Sequence, residues 1–392
     1  MPRSLHPPLV AIALPRAAAA VAVVRAWEAG EAVLPLDPAA PDAETRRTLE
    51  LASPTHLVDA AGRARLPGGR PVAPGVAAVV VTSGTAGAPK AVELTAAGIR
   101  ASSLAVSASV GAGPGDRWLA CVPLHGVAGL AIVARSWHTG VPAEVHDRFD
   151  PLLVDRAAAG GATLVSVVPT MLGRLLDAGR VLGRFRRVLL GGSAAPAGLL
   201  AAAAGAGAAV VRTYGLTETF GGVAHDGRAL PGVELSVAPD GEIGVRGEMV
   251  MRGYRGDARA TAATLRGGVL RTGDLGRLEP DGRLVVLGRR DDLIVTGGVN
   301  VHPVEVERVL SDHPAVADAG VRGLPDPEWG ERVVAFVVPA DPARPPTLDE
   351  LRGFARDRLA AAKAPRQLVL VERLPRTPSG KVRRRLLGQQ DW

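Results

Sequence analysis

The chain has 392 residues, 47% of them hydrophobic and 3% aromatic, and carries a formal net charge of +7. That length accommodates two domains or more around cores of Ala, Val and Leu, and the positive balance suits anionic ligands. A single cysteine, Cys121, excludes a disulfide framework and any cysteine-based metal cluster. No basic block is interleaved with aromatics, which excludes a nucleic-acid binder.

From the N-terminus, Leu9–Leu14 reads as a strand, Ala17–Gly30 as a helix and Ala32–Leu36 as a second strand. Pro15 and Arg16 interrupt the apolar stretch, so it reads as a β-α-β opening rather than an export signal. No apolar run is long enough to span a membrane, and the expectation is a soluble cytoplasmic protein. Asp42–Ala52 is expected as a helix, His56–Asp59 as a strand and residues 62–74 as a polar connector. Alternating short apolar runs with helical segments predicts layered parallel α/β structure.

The run Val79–Thr95 then places a β-branched strand before a loop rich in hydroxyls and glycines. Thr82, Ser83 and Thr85 supply donors, Gly84 and Gly87 let the backbone approach a ligand, and Lys90 adds a point charge. Together these suit a polyphosphate. Lys90 is preceded by Pro89 and followed by Ala91, so the Walker pattern fails, as does the dinucleotide pattern.

Further on, Thr95–Val110 reads as a helix and Trp118–Pro123 as a strand leading to Leu124-His125-Gly126-Val127. His125 suits a helix start, a core position or a ligand pocket. The strands Thr163–Val168 and Arg187–Leu190 follow, the second opening into Gly191-Gly192-Ser193, either a plain turn or a floor for a flat ring. Tyr214-Gly215-Leu216-Thr217-Glu218 brings a flat face, a hydroxyl and a carboxylate together. Asp274 is either a turn aspartate or a carboxylate of the kind that binds a vicinal diol. Asp281-Gly282 reads as a hairpin turn before Leu284–Leu287. Beyond Gly288–Gly298 the chain alternates a helix at Val304–Leu310, strands at Ala315–Val321 and Arg332–Pro339 and a helix at Thr347–Ala362. A Pro378-Ser379-Gly380-Lys381 loop stands near the end.

These motifs, in this order, resemble the adenylate-forming superfamily: acyl-CoA synthetases, peptide-synthetase adenylation domains and luciferases. The phosphate loop resembles [ST]SG[ST]TGxPK, with Ala86 where the family carries threonine; the others resemble YGxTE, RTGDL, GRxDDxIxxxG and LPRTxxGKxxR. The resemblance implies a large N-terminal α/β domain over residues 1–290 and a small mobile α+β domain over residues 291–392. It further implies that Gly191, Gly192, Ser193 and Tyr214 border adenine, Asp274 and Arg289 hold ribose and phosphate, and Thr217 contacts the α-phosphate. Glu218 would hold Mg²⁺, Lys381 would act in adenylation, Asp291 would be the hinge, and Gly297 and Gly298 would line the coenzyme A arm. His125, Gly126, Gly215 and Gly222 would belong to the acid pocket. His125-Gly126 departs from the family's usual aromatic-His pair, and the segment between Pro123 and Arg135 lacks the aspartate that holds an α-ammonium in peptide-synthetase domains.

Tyr214–Leu235 is similar to the short o-succinylbenzoate–CoA ligases of menaquinone biosynthesis. The implied activity joins a carboxylic acid to coenzyme A using ATP and Mg²⁺, releasing AMP and pyrophosphate. Alternatives are another aryl or short acyl acid of secondary metabolism, loading of a carrier protein, and a degenerate nucleotide-binding relative. Dimers are common among proteins of this kind.

Overall fold

The computed structural model describes residues 6–82, 89–180, 182–377 and 380–389. Strands Leu9–Ile12 and Ala32–Pro35 are buried along their whole length and pair in parallel across the helix Arg16–Glu28. Burial on both faces is what their unbroken apolar sequences require. The first sheet runs, in spatial order, Gly253–Tyr254, Lys90–Thr95, Val76–Thr82, Ala32–Pro35, Leu9–Ile12, His56–Asp59 and Gly62–Arg65. Its centre is parallel and both margins are antiparallel. The second sheet runs Arg228–Ala229, Gly221–His225, Val210–Leu216, Arg187–Leu190, Leu164–Val167, Trp118–Ala120 and Ala143–Val145.

Three helices, Arg16–Glu28, Ala96–Ser109 and Val127–Thr139, form the layer between these sheets. Val23, Ile99 and Leu130 share one core with Val10 and Val80 of the first sheet and with Trp118 and Leu164 of the second. The helix Asp42–Ala52 covers the outer face of the first sheet. Helices Pro151–Ala159, Pro169–Asp177 and Ala197–Gly205 cover the outer face of the second.

An antiparallel third sheet follows, built on the long strand Val269–Leu278 with Glu242–Arg246 and Leu284–Arg289 beside it. The turn at Asp281-Gly282 closes its last hairpin through Gly282 N–H donating to the Glu279 carbonyl at 2.8 Å. A 3₁₀ turn at Arg290–Asp292 leads to the fourth sheet, where Val316–Asp326 and Gly330–Pro339 form the central hairpin and Gln367–Leu370 adds in parallel. Helices Pro303–Ser311 and Leu348–Arg356 pack on one face of it, and Leu374 and Leu387 on the other. The layered α/β body with a smaller α+β unit is the architecture expected from the sequence.

Some local expectations change. The connector after Asp59 contains the strand Gly62–Arg65, which pairs antiparallel with His56–Asp59. It is exposed throughout, so no apolar alternation marks it. The helix expected over Thr347–Ala362 starts as read, with Thr347 and Glu350 forming a capping box, but ends at Arg356. Downstream, Lys363 pairs with Glu305 at 2.7 Å, drawing the chain towards the neighbouring helix. The strand expected over Trp118–Pro123 keeps sheet bonding only to Ala120, because the chain then turns into the helix Val127–Thr139.

Candidate active site

A cleft of about 3020 Å³ lies where strands Val76–Thr82, Leu164–Val167, Arg187–Leu190 and Val210–Leu216 end, roofed by parts of the third and fourth sheets. Carboxyl ends of parallel strands are the usual ligand position in such sheets. Thr82 and Lys90 line the cleft, with Lys90 N–H 3.3 Å from Thr82 Oγ1. The Lys90 ammonium lies 4.5 Å from the centre of the Tyr254 ring. Ser83, Gly84, Thr85 and Gly87, with Ala86, fall outside the described residues.

The strand Val210–Leu216 carries the next group. It lies so close to Gly221–His225 that a Cβ on Gly215 would run into the Gly221 carbonyl, so only glycine permits this approach. The ladder shifts register between Tyr214 and Gly215, which re-aims the strand end. Tyr214 donates its hydroxyl to Asp274 Oδ2 at 2.8 Å. Arg289 pairs with Asp274 Oδ1 at 3.1 Å and donates to the Thr272 carbonyl at 2.6 Å. Burial, followed by the Asp274 charge, raises the Tyr214 phenol above its ordinary value. Glu218 Oε1 accepts from the Tyr254 hydroxyl at 2.8 Å. Burial, then Glu218, raises that phenol as well. Both tyrosines therefore stay neutral donors. Thr217 opens a 3₁₀ turn, and Thr217, Gly191, Gly192 and Ser193 also line the cleft.

Lys381 enters from the fourth-sheet side. Its loop is closed by Thr377 N–H donating to the Lys381 carbonyl at 2.8 Å and by Lys381 N–H donating to Thr377 Oγ1 at 3.1 Å. Arg376 braces the loop, donating to the Gly380 carbonyl at 2.6 Å and to both Asp318 oxygens at 2.7 and 2.6 Å. Gly380 reaches the larger body, since a Cβ there would lie 3.2 Å from Thr170 Oγ1. Desolvation lowers the Lys381 ammonium from its ordinary value and Arg289 lowers it further, while Asp274 and Glu218 oppose the shift. The structure thus collects Lys381, Arg289, Asp274 and Glu218 in one electrostatic neighbourhood.

The cleft continues past His125, Gly126 and Gly222. His125 Nδ1 is 3.8 Å from Asp37 Oδ2, and burial lowers its imidazole from the ordinary value. Arg135, on the helix Val127–Thr139, is only 6% exposed and lines the same wall. Its guanidinium stacks 4.3 Å from the Trp118 ring centre. Among the described residues it has no carboxylate within ion-pair distance, and its Nε is buried without an acceptor. Burial pulls it down to about 9.

Arg135, Tyr254, Arg376 and the His225–Ser109 pair were not identified from sequence. For Arg135 a signal existed: it ends the apolar run Leu130–Ala134, where a charge requires a reason.

Asp291 sits exposed on the turn Arg290–Asp292 and borders the cleft. Its neighbours are anchored in different directions. Arg290 pairs with Asp240 at 3.0 Å and Glu242 at 3.3 Å, and Asp292 pairs with Arg384 at 2.8 Å. Gly297 and Gly298 are not among the cleft-lining residues. They turn the hairpin between Ile294–Thr296 and Val299–Val301, with Gly297 N–H donating to the Trp329 carbonyl at 2.8 Å. No group of three or more His, Cys, Asp or Glu suited to a metal occurs among the described residues. No described helix is long and apolar enough to cross a membrane.

Residues 66–255 match the family described as AMP-binding enzyme, and residues 305–381 match the AMP-binding enzyme C-terminal domain. The chain is 42% identical over 349 residues to a probable 2-succinylbenzoate–CoA ligase of Mycobacterium tuberculosis, covering 86% of this chain and 90% of that protein. It also superposes on the o-succinylbenzoate CoA synthetase of Bacillus subtilis in complex with the acyl-adenylate intermediate OSB-AMP. That match has a TM-score of 0.88 and 31% identity, over 99% of this chain and 90% of the other. The same Bacillus synthetase in complex with ATP and a magnesium ion superposes with a TM-score of 0.86 and 30% identity, over 98% of this chain and 90% of the other.

Proposed function

The chain belongs to the AMP-binding enzyme family, and from that premise we propose that it is an ATP-dependent acid–CoA ligase acting on 2-succinylbenzoate, in the cytoplasm. One observation carries the choice of acid. A buried guanidinium with no carboxylate partner among the described residues, that of Arg135, lines the cleft that Lys381, Asp274 and Glu218 also line. An acid whose only carboxylate reacts leaves such a cation uncompensated; a dicarboxylic acid neutralises it. The names of the relatives support the same substrate.

In this reading the Thr82–Lys90 segment holds the β- and γ-phosphates. Tyr214 and Gly191–Ser193 border adenine, Asp274 and Arg289 receive the ribose, and Thr217 contacts the α-phosphate. Glu218 is a suitable single carboxylate for Mg²⁺, which takes its other ligands from phosphate and water. Bound there, the ion would neutralise phosphate charge. One carboxylate oxygen of the acid attacks the α-phosphorus and the bond to pyrophosphate breaks. Lys381 stabilises the charge that develops between acid and phosphate. Residues 291–392 then swing about Asp291, whose neighbours are pinned to separate bodies. Lys381 withdraws, and Gly297 and Gly298 are brought to the coenzyme A arm. The thiol attacks the acyl carbon and AMP leaves.

Pyrophosphate release with ATP, Mg²⁺ and a panel of acids tests the assignment, with Lys381→Ala as control and coenzyme A or a carrier protein as acceptor. Lys381-dependent turnover of 2-succinylbenzoate, completed by coenzyme A, is expected. Turnover of another acid only, or transfer to the carrier only, would overturn the reading.

A further inference from the structure

Among the cleft-lining groups to which the reaction above gives no task is a buried histidine. His225, the last residue of the strand Gly221–His225, is 7% exposed and borders the cleft. Its Nδ1 lies 2.7 Å from Ser109 Oγ, and its Nε2 is buried with no hydrogen-bond partner among the described residues. Gly222, another cleft-lining residue, lies against Nε2, since a Cβ there would sit 3.4 Å from that nitrogen. Burial, reinforced by the positive charge of Arg135, pulls the imidazole down to about 4, so the ring is neutral near pH 7. A neutral imidazole has one N–H and one acceptor nitrogen. When the Ser109 hydroxyl donates to Nδ1, the proton resides on Nε2, leaving a buried N–H with no acceptor among the described residues, on a residue that lines the cleft. A buried donor held in place without an acceptor suits a ligand that brings one.

We propose that His225, its tautomer set by Ser109, determines specificity by donating from Nε2 to the second carboxylate of the acid beside Arg135. The proposal rests on the dicarboxylate reading above. The division of labour is physical: Arg135 supplies charge, which attracts any anion, whereas His225 supplies a single directed donor that fixes where the carboxylate sits. Ser109, on the helix Ala96–Ser109, is a positioning residue and touches the acid only through His225.

The test compares kcat/KM for pyrophosphate release with 2-succinylbenzoate and with 4-oxo-4-phenylbutanoate, the same acid without its ring carboxylate. His225→Phe keeps a ring but removes the donor. It is expected to shrink the preference for the diacid by about tenfold to a hundredfold, the range of one hydrogen bond to a charged group, mostly through KM. Ser109→Ala should shift the preference in the same direction by less, and His225→Gln, which restores an N–H, should recover part of it. An ATP-induced thermal shift equal to that of the wild type verifies that each variant retains a folded nucleotide end. A preference unchanged in His225→Phe, or an equal loss on both acids, overturns the proposal while leaving the assigned reaction intact. A wild type that does not turn over 2-succinylbenzoate overturns the assigned reaction and the proposal with it.

Discussion

Replacing Arg135 by methionine should stabilise the protein and disable it. The guanidinium is 6% exposed and is drawn from an ordinary 12.5 to about 9 by burial alone. At about 1.4 kcal/mol per tenfold, that is roughly 5 kcal/mol against the charged form. Loss of the cation–π contact with Trp118 gives back up to about 2 kcal/mol. A methionine of similar length fills the space and removes the charge, so the net gain is about 3 kcal/mol. For a body of this size that corresponds to a rise in Tm of roughly 4–5 °C. Thermal unfolding of the ligand-free variant measures it. In parallel, added 2-succinylbenzoate should raise the wild-type Tm and leave the Arg135→Met Tm unmoved, and kcat/KM for that acid should fall at least about a hundredfold. A lower Tm in the ligand-free variant would mean that Arg135 is satisfied by the protein itself. The inference of a second carboxylate would then fail.

Lys381→Ala should slow pyrophosphate release by about a hundredfold to a thousandfold, while thioester formation from supplied acyl-adenylate stays within about threefold; equal losses in both half-reactions would refute its assignment to the first. Because the Lys381 ammonium is lowered by desolvation and Arg289, its charge is present below that lowered value and lost as pH rises through it. The alkaline limb of pyrophosphate release should therefore fall below the ordinary lysine range and disappear in Lys381→Arg, and a limb at or above that range would contradict the burial argument. Gly215→Ala forces apart strands that meet at the Gly221 carbonyl; a loss of about 3 kcal/mol in stability together with the ATP-induced thermal shift is expected, and an unchanged ATP shift would show that this approach does not position Tyr214 and Glu218. Asp291→Pro fixes one torsion of the turn between the pinned Arg290 and Asp292; adenylation should persist while thioester formation falls, and parallel decreases in both would locate the pivot elsewhere.

Much of the nucleotide end was legible in the sequence. Tyr214, Thr217 and Glu218 stand within one strand end and its turn, and Asp274, Arg289 and Lys381 each sit in a short motif that resembles one of the family's. Glycines and β-branched runs identified the strands that deliver them. Local sequence could not pair these groups with their supports. Tyr254 meets Glu218 across 36 positions, Arg376 braces its loop through Asp318 across 58, and Ser109 faces His225 across 116. Such contacts depend on which sheet edges and helix faces pack together, and no short-range pattern encodes that. The exposed strand Gly62–Arg65 escaped detection for a related reason, since its pairing is backbone bonding that leaves no apolar period. From sequence alone the family and the layered fold could be read, because short motifs and backbone freedom are local; the residues proposed to handle ATP were read there too, by resemblance. The tertiary structure added what no motif marks: packing of the helix Val127–Thr139 and the strand Gly221–His225 on the cleft buries Arg135 Nε and His225 Nε2 without hydrogen-bond partners among the described residues, and that burial is what the proposed choice of acid rests on.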